Sequence, residues 1–146
     1  PVVYAAGLLR GIGRGIDTDA WVWLLEGAGQ RLFEPPNVSG WDDTRWLDTN
    51  TFRGRWYIAQ EALSKYVVQD TKRKKAKAPK EPAAIVANAM ALLGNPTIRP
   101  ETRRLLTTYA RQSLTGLKDG EAEEYAKLVV NAVRTLLAVS PDLQTA

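Results

Sequence analysis

The sequence predicts an all-α protein, a compact bundle of five or six helices with a Pro/Gly/Trp-rich ordered loop between the second and third. Three observations carry that expectation. Apolar residues recur at i, i+3, i+4 and i+7 along most of the 146 residues. Gly and Pro punctuate the ends of those periodic stretches. No alternating run of comparable length marks a strand. The residues read as one helical domain over 1–146 with a basic, flexible connector at 71–81.

In the first helix Val2, Val3, Ala6 and Leu9 keep the helical period until Gly11, Gly13 and Gly15 stop it. Asp17 or Thr18 can cap a second, short helix on which Trp21, Leu24, Leu25 and Ala28 share a face, before Gly27 and Gly29 weaken it. A third begins behind Asp48 or Thr49, and Phe52, Trp56, Ala59 and Leu63 line one side of it toward Gln69. Pro82 suits the first turn of a fourth, with Ile85, Ala89, Leu92 and Leu93 as its apolar stripe and Gly94, Asn95 and Pro96 as its end. Pro100 opens a fifth whose buried side is expected at Leu105, Leu106, Tyr109 and Leu114, with Arg103, Arg104 and Arg111 in water. The sixth runs through Tyr125, Leu128, Val129, Ala132, Val133, Leu136 and Leu137, and Ser140-Pro141 closes it.

Residues 31–56 break this regularity, because they hold three of the five tryptophans, two adjacent prolines and three aspartates. Pro35 and Pro36 fix φ and disfavour helix, Gly40 permits a tight bend, and Asn37 and Ser39 can bond to nearby backbone. A loop must satisfy its own polar groups while its rings hold it down. Phe33, Val38, Trp41 and Trp46 are therefore expected to fill a crevice between helices two and three.

Charge is distributed unevenly. Residues 71–80 contain six of the twenty Lys and Arg and no acid, so a net charge of +4 becomes −2 without them. Such a run repels itself and has nothing to bury, which makes it a solvated connector; without interleaved aromatics, nucleic acid is the weaker reading for Lys72 to Lys80. No apolar stretch reaches the ~20 residues of a membrane span, and the first residues lack the pattern of a signal peptide. The absence of cysteine gives no clue to redox compartment.

The same composition narrows the chemistry. Without His or Cys, this chain cannot itself assemble a Ser-His-Asp triad, a Cys nucleophile or the usual zinc, copper and haem ligand sets. Glu34, Asp42, Asp43 and Asp48 could gather for Ca²⁺ or acid/base hydrolysis. The simpler reading gives Asp48 a helix N-cap, and Asp42-Asp43-Thr44 lacks EF-hand spacing. Gly11, Gly13 and Gly15 have neither the spacing nor the preceding strand of a phosphate loop. The tryptophans could stack on a sugar or apolar ligand, yet most belong to a core; Trp23, off the face of Trp21 and Leu24, is the one expected in water as a docking residue. No catalytic residue, metal or cofactor is predicted.

The segment LFEPPNVSGWDDTRWLDTNTFRGRW resembles the motif of the bacterial family called domain of unknown function 1800. Leu32, Phe33, Pro35, Pro36, Asn37, Val38, Gly40 and Trp41 match its LFxPPNVxGW element; Trp46, Leu47, Asp48 and Thr49 match its W-[IL]-[ND]-T element; Arg55 falls in the helix that follows. Many members carry a Gly pair where this chain has Asp42-Asp43-Thr44-Arg45. The resemblance implies the C-terminal part of a longer protein, exported or in the cell envelope, and brings no activity with it. A non-catalytic structural or interaction module follows as the leading expectation, docking through Trp23, Asp42, Asp43 and Arg45 onto an upstream part of the same protein, another protein, or a further copy. The alternatives are part of a carboxylate-based hydrolase with an extracellular substrate, and an anion or nucleic-acid binder acting through the basic connector.

Overall fold

The structure is a computed structural model that describes residues 2–13, 18–31, 33–41, 48–72 and 78–144. Its described elements are helices: α1 (Val2–Gly11), α2 (Thr18–Gly27), α3 (Thr49–Lys72), α4 (Pro82–Leu92), α5 (Pro100–Leu114), α6 (Asp119–Ala138) and the single turn α7 (Pro141–Gln144). The all-α expectation holds. The chain gathers into two compact units, 1–62 and 63–146.

The first unit contains α1, α2 and the start of α3. α1 buries Ala5, Leu8 and Leu9, with Ile12 just beyond it, and α2 buries Trp21 and Leu25. α2 ends in a Schellman arrangement in which Gly29 N–H donates to Glu26 O at 2.9 Å and Gln30 N–H to Leu25 O at 2.9 Å. Gly29 has φ +87°, a conformation that favours glycine. The Gln30 side chain then accepts from Val2 N–H at 3.4 Å, which ties the start of α1 to the end of α2.

The inward face of α3 is the expected one at Ala59 and Leu63 but not at Phe52 and Trp56. Thr51, Gly54, Arg55, Ile58, Ala59 and Ala62 are buried, whereas Phe52 is exposed and Trp56 only half-buried. The cause is Gly54. A Cβ there would run into Gly27 O and sit 2.5 Å from both N and Cα of Ala28, so α3 meets the end of α2 backbone to backbone. The ring-bearing side is turned away from that contact.

In the second unit α4, α5 and α6 pack on one another. Ile85, Val86, Ala89, Met90, Leu106, Ala110, Val129, Val130, Val133 and Leu137 form its core. Two expected stripes are corrected. α5 turns Thr102, Leu106 and Ala110 inward and leaves Leu105 and Tyr109 exposed; α6 leaves Tyr125 and Leu128 exposed while Ala126 and Val130 go inside. Ala110 and Ala126 are fully buried, so small residues take inward positions where rings were expected. Arg134 is buried and donates through Nη2 to Asn88 Oδ1 at 2.7 Å, so the polar interruption of the α4 stripe has a partner on α6.

The expected connector at 71–81 lies in part outside the described residues. α3 continues to Lys72, because no Gly or Pro interrupts it after Gly54, and Thr71 is thus helical. Residues 73–77 lie outside the described ones, and Ala78 packs against the core of the second unit.

Arg99, the N-cap residue of α5, makes no side-chain cap bond, and the α7 residue Asp142 substitutes for it. Its Oδ2 accepts from Arg99 N–H at 3.2 Å and its Oδ1 from Arg99 Nε at 2.6 Å. A side-chain hydrogen bond from Thr102, and then those from Arg99 and its charge, hold the Asp142 carboxyl below the usual carboxylate range. A carboxyl depressed in this way stabilises the fold above its unfolded value and loses that effect as pH falls through the lower folded one. The Tm gap between wild type and Asp142→Asn should therefore be constant over about pH 5 to 8 and close as the pH drops below about 4. Thermal melts across that range measure it, and a gap independent of pH would refute the coupling.

Candidate functional site

The sequence from Gln30 to Asp48 leaves the end of α2 and returns to α3. Its first turn closes when Glu34 N–H donates to Arg31 O at 3.2 Å. Arg31 Nε pairs with Glu34 at 3.1 Å, and its Nη1 lies 4.0 Å from Glu26 on α2. Phe33 sits inside this turn with φ +65°, a left-handed conformation that costs a residue with a Cβ on the order of 1 kcal/mol. Its ring is 91% exposed.

Pro35 and Pro36 follow, both exposed. A second turn joins Gly40 N–H to Asn37 O at 3.1 Å, and the Asn37 side chain accepts from Ser39 N–H at 2.8 Å, the Asx turn that residue favours. Gly40 takes φ +88°, and Val38 at the tip is fully exposed. The expectation that Phe33 and Val38 fill a crevice between α2 and α3 is thus overturned. At Gly54 the two helices meet backbone to backbone, with no room there for a ring. Trp41 is half-buried, and its enclosed indole N–H has no acceptor among the described residues.

Where the chain returns, Asp48 caps α3. Its Oδ1 accepts from Thr51 N–H at 2.8 Å, and its carbonyl accepts from Thr51 Oγ1 at 3.1 Å and Phe52 N–H at 3.0 Å. The Thr51 methyl lies 3.0 Å from the place a Cβ on Gly29 would occupy, so the capped turn abuts the end of α2. Two turns along, Arg55 is only 3% exposed, with its guanidinium carbon 5.6 Å from the centre of the Phe52 ring. Burial lowers its pKa, and the Tyr4 and Asp48 side chains oppose that shift. Arg55 thereby links α1, the cap and α3 electrostatically, and a guanidinium remains charged throughout the physiological range.

The structure brings together Asp48 and Arg55 and displays Pro35, Pro36, Asn37 and Gly40 on an exposed loop beside the half-buried Trp41. Trp23 is 72% exposed, as its place off the Trp21 face predicts. Asp42, Asp43, Arg45 and Trp46 lie outside the described residues. Among the described residues no group of three His, Cys, Asp or Glu could hold a metal ion, and no helix is long and apolar enough to cross a membrane. The sequence reading missed Gly54, Thr51 and Tyr4. Gly54 had a signal, since an isolated glycine inside a helical pattern commonly marks a close contact.

A family model described as protein of unknown function (DUF1800) matches residues 1–145. The chain belongs to the DUF1800 family. Of the motif residues, Phe33, Pro35, Pro36, Asn37, Val38, Gly40, Trp41, Asp48 and Arg55 lie in the elements just described, and Leu32, Trp46 and Leu47 lie outside the described residues. Comparison with curated proteins and with solved structures returns no significant match.

Gly54→Ala should lower the free energy of unfolding by about 2–3 kcal/mol, the upper range of overpacking, although alanine is the better helix former. Gly7→Ala is the control. Nothing lies within 4 Å of its added methyl, so it should be neutral or stabilise by up to about 1 kcal/mol. Denaturant unfolding of both variants checks the contrast, and equal effects would remove the close contact from the account.

Proposed function

We propose that this chain is a non-catalytic structural or interaction module whose contact element is the loop of residues 33–40, with Trp23 on α2 as a further anchor. The observation that carries this reading is Phe33: a phenylalanine held at positive φ with its ring in water. Both features cost free energy in the isolated chain. Covering one such ring recovers roughly 1.5–3 kcal/mol. Val38, Pro35 and Pro36 lie exposed beside it, and their turns are fixed by local hydrogen bonds, so little entropy remains to be lost on contact. Asp48, one of the carboxylates a hydrolase would need, is engaged as a helix cap, which favours the non-catalytic reading over the enzymatic one.

The purified chain should accordingly associate with itself at micromolar concentration, and Phe33→Ser with Val38→Ser should abolish that association with little change in unfolding midpoint. Equilibrium sedimentation is the measurement. A wild-type chain that stays monomeric across micromolar concentrations would refute the reading, and hydrolysis of a glycan or ester lost in Asp42→Asn would replace it with the enzymatic one.

A further inference from the structure

We infer that α7 is a releasable strap: residues 141–144 come away from unit 63–146 as one piece at the Ser140-Pro141 junction, and Asp142 carries the state of the strap to the first turn of α5. The device lies wholly within the second unit and is independent of the reading of the loop at 33–40.

The first ground is the junction itself. The core of the unit is built by α4, α5 and α6, and Leu143 lies against it only partly buried. Burial changes abruptly where α6 gives way to α7: Thr135, Leu137, Ala138, Val139 and Ser140 are buried, whereas α7 buries no residue fully. The hydrogen-bond ladder is interrupted at the same place. Proline has no N–H to donate, and the backbone bonds on either side of it run from Ser140 N–H to Leu137 O at 3.1 Å and from Leu143 N–H to Ser140 O at 3.1 Å. A single turn does not hold itself together, since ordering its residues costs more entropy than its own bonds offset. Three tethers make up the difference: Asp142 on Arg99, Leu143 on the core, and Gln144 Nε2 on Ala138 O at 3.0 Å. Each one holds the turn in place for the other two, so they are made and lost together.

The second ground is the place where Asp142 lands. Its side chain is 8% exposed and that of Arg99 is 63% exposed, so opening returns the carboxylate to water and leaves the arginine where it already is. What α5 loses is the acceptor of Arg99 N–H and the hydrogen bond to the Thr102 side chain, at a helix start with no side-chain cap of its own. Thr102 is buried, which makes a lost partner costly there. The charge acting on Asp142 is that of Arg99, and together with the hydrogen bonds it holds the carboxyl below its ordinary range. Release of the strap therefore raises the Asp142 pKa toward that of a free side chain. Because the tethers are coupled, a change at Leu143 or Gln144 is felt at Arg99, 43 residues before Asp142 in the chain.

Two NMR measurements on the full chain test the strap. In the wild type, hydrogen exchange at the Arg99 and Leu143 amides should show one shared protection factor, at least about a hundredfold below that of Val130 and Val133 in α6, because local opening precedes global unfolding. Titration of the Asp142 carboxyl is the second. Leu143→Ser alters neither partner of the Asp142–Arg99 pair, yet it should move the Asp142 midpoint up toward the ~3.9 of an unperturbed aspartate. Gln144→Ala, which removes the tether to Ala138, should move it in the same direction, and Leu143→Met should leave it at the wild-type value. An Asp142 midpoint unchanged in Leu143→Ser means that the tethers are independent and overturns the coupling. Arg99 and Leu143 amides as protected as those of Val130 and Val133 mean that α7 leaves only when the whole unit unfolds, and the strap falls. A Leu143→Ser chain that circular dichroism shows to be unfolded overturns it as well, because the unit must stay packed when the strap is released.

Discussion

Gly54 of α3 meets Gly27 and Ala28 at the end of α2 backbone to backbone, and the packing of α3 on α2 depends on it. No side chain fits between the two segments. That contact selects which side of α3 faces inward, so Thr51, Arg55, Ile58 and Ala62 are buried and Phe52 is not. Burial of Arg55 is then a consequence of helix rotation, and its interactions with Tyr4, Asp48 and the Phe52 ring offset the cost of taking a guanidinium out of water. The loop inherits its exposure from the same contact, because its two ends are drawn together beneath it.

Much of the architecture was legible in the residues because helix ends are encoded locally. Gly13, Gly29 and Gly94 stop helices by supplying conformations that close the last turn, Pro82 and Pro100 start them, and Asp48 caps α3 through its own side chain. The exposure of Trp23 was legible too, since it follows from spacing on one helix. The inward faces of α3, α5 and α6 were read less well. Hydrophobicity favours the largest residue on a stripe, whereas close packing of helices favours the smallest, and Gly54, Ala110 and Ala126 prevail over Phe52, Tyr109 and Tyr125. Nothing in a one-dimensional pattern records how near a neighbouring backbone comes.

The second unit meets the same demands by longer-range means. The first turn of α5 lacks a cap of its own, and the carboxylate that serves it arrives from Asp142, 43 residues along the chain. The single turn α7 is fastened on its other side by Gln144, whose Nε2 donates to Ala138 O at 3.0 Å, and Leu143 lies against the core. A four-residue turn has almost no intrinsic stability. Here it persists because each of its last three residues makes a contact with an element that is itself well packed.

The position of the Gly54 contact also bears on how such a chain can vary. Gly29 and Thr51 abut at the base of the loop and the Asp48 cap closes its return, so the exposed residues 33–39 are not needed for the contact between α2 and α3. The entropy of closing a loop grows only with the logarithm of its length, about 0.6 kcal/mol for each doubling. Residues 33–41 can therefore lengthen, shorten or exchange their side chains while the helices beneath keep their register. The scaffold is in this sense a holder for a tip whose shape is written in its own two turns rather than in the helices beneath.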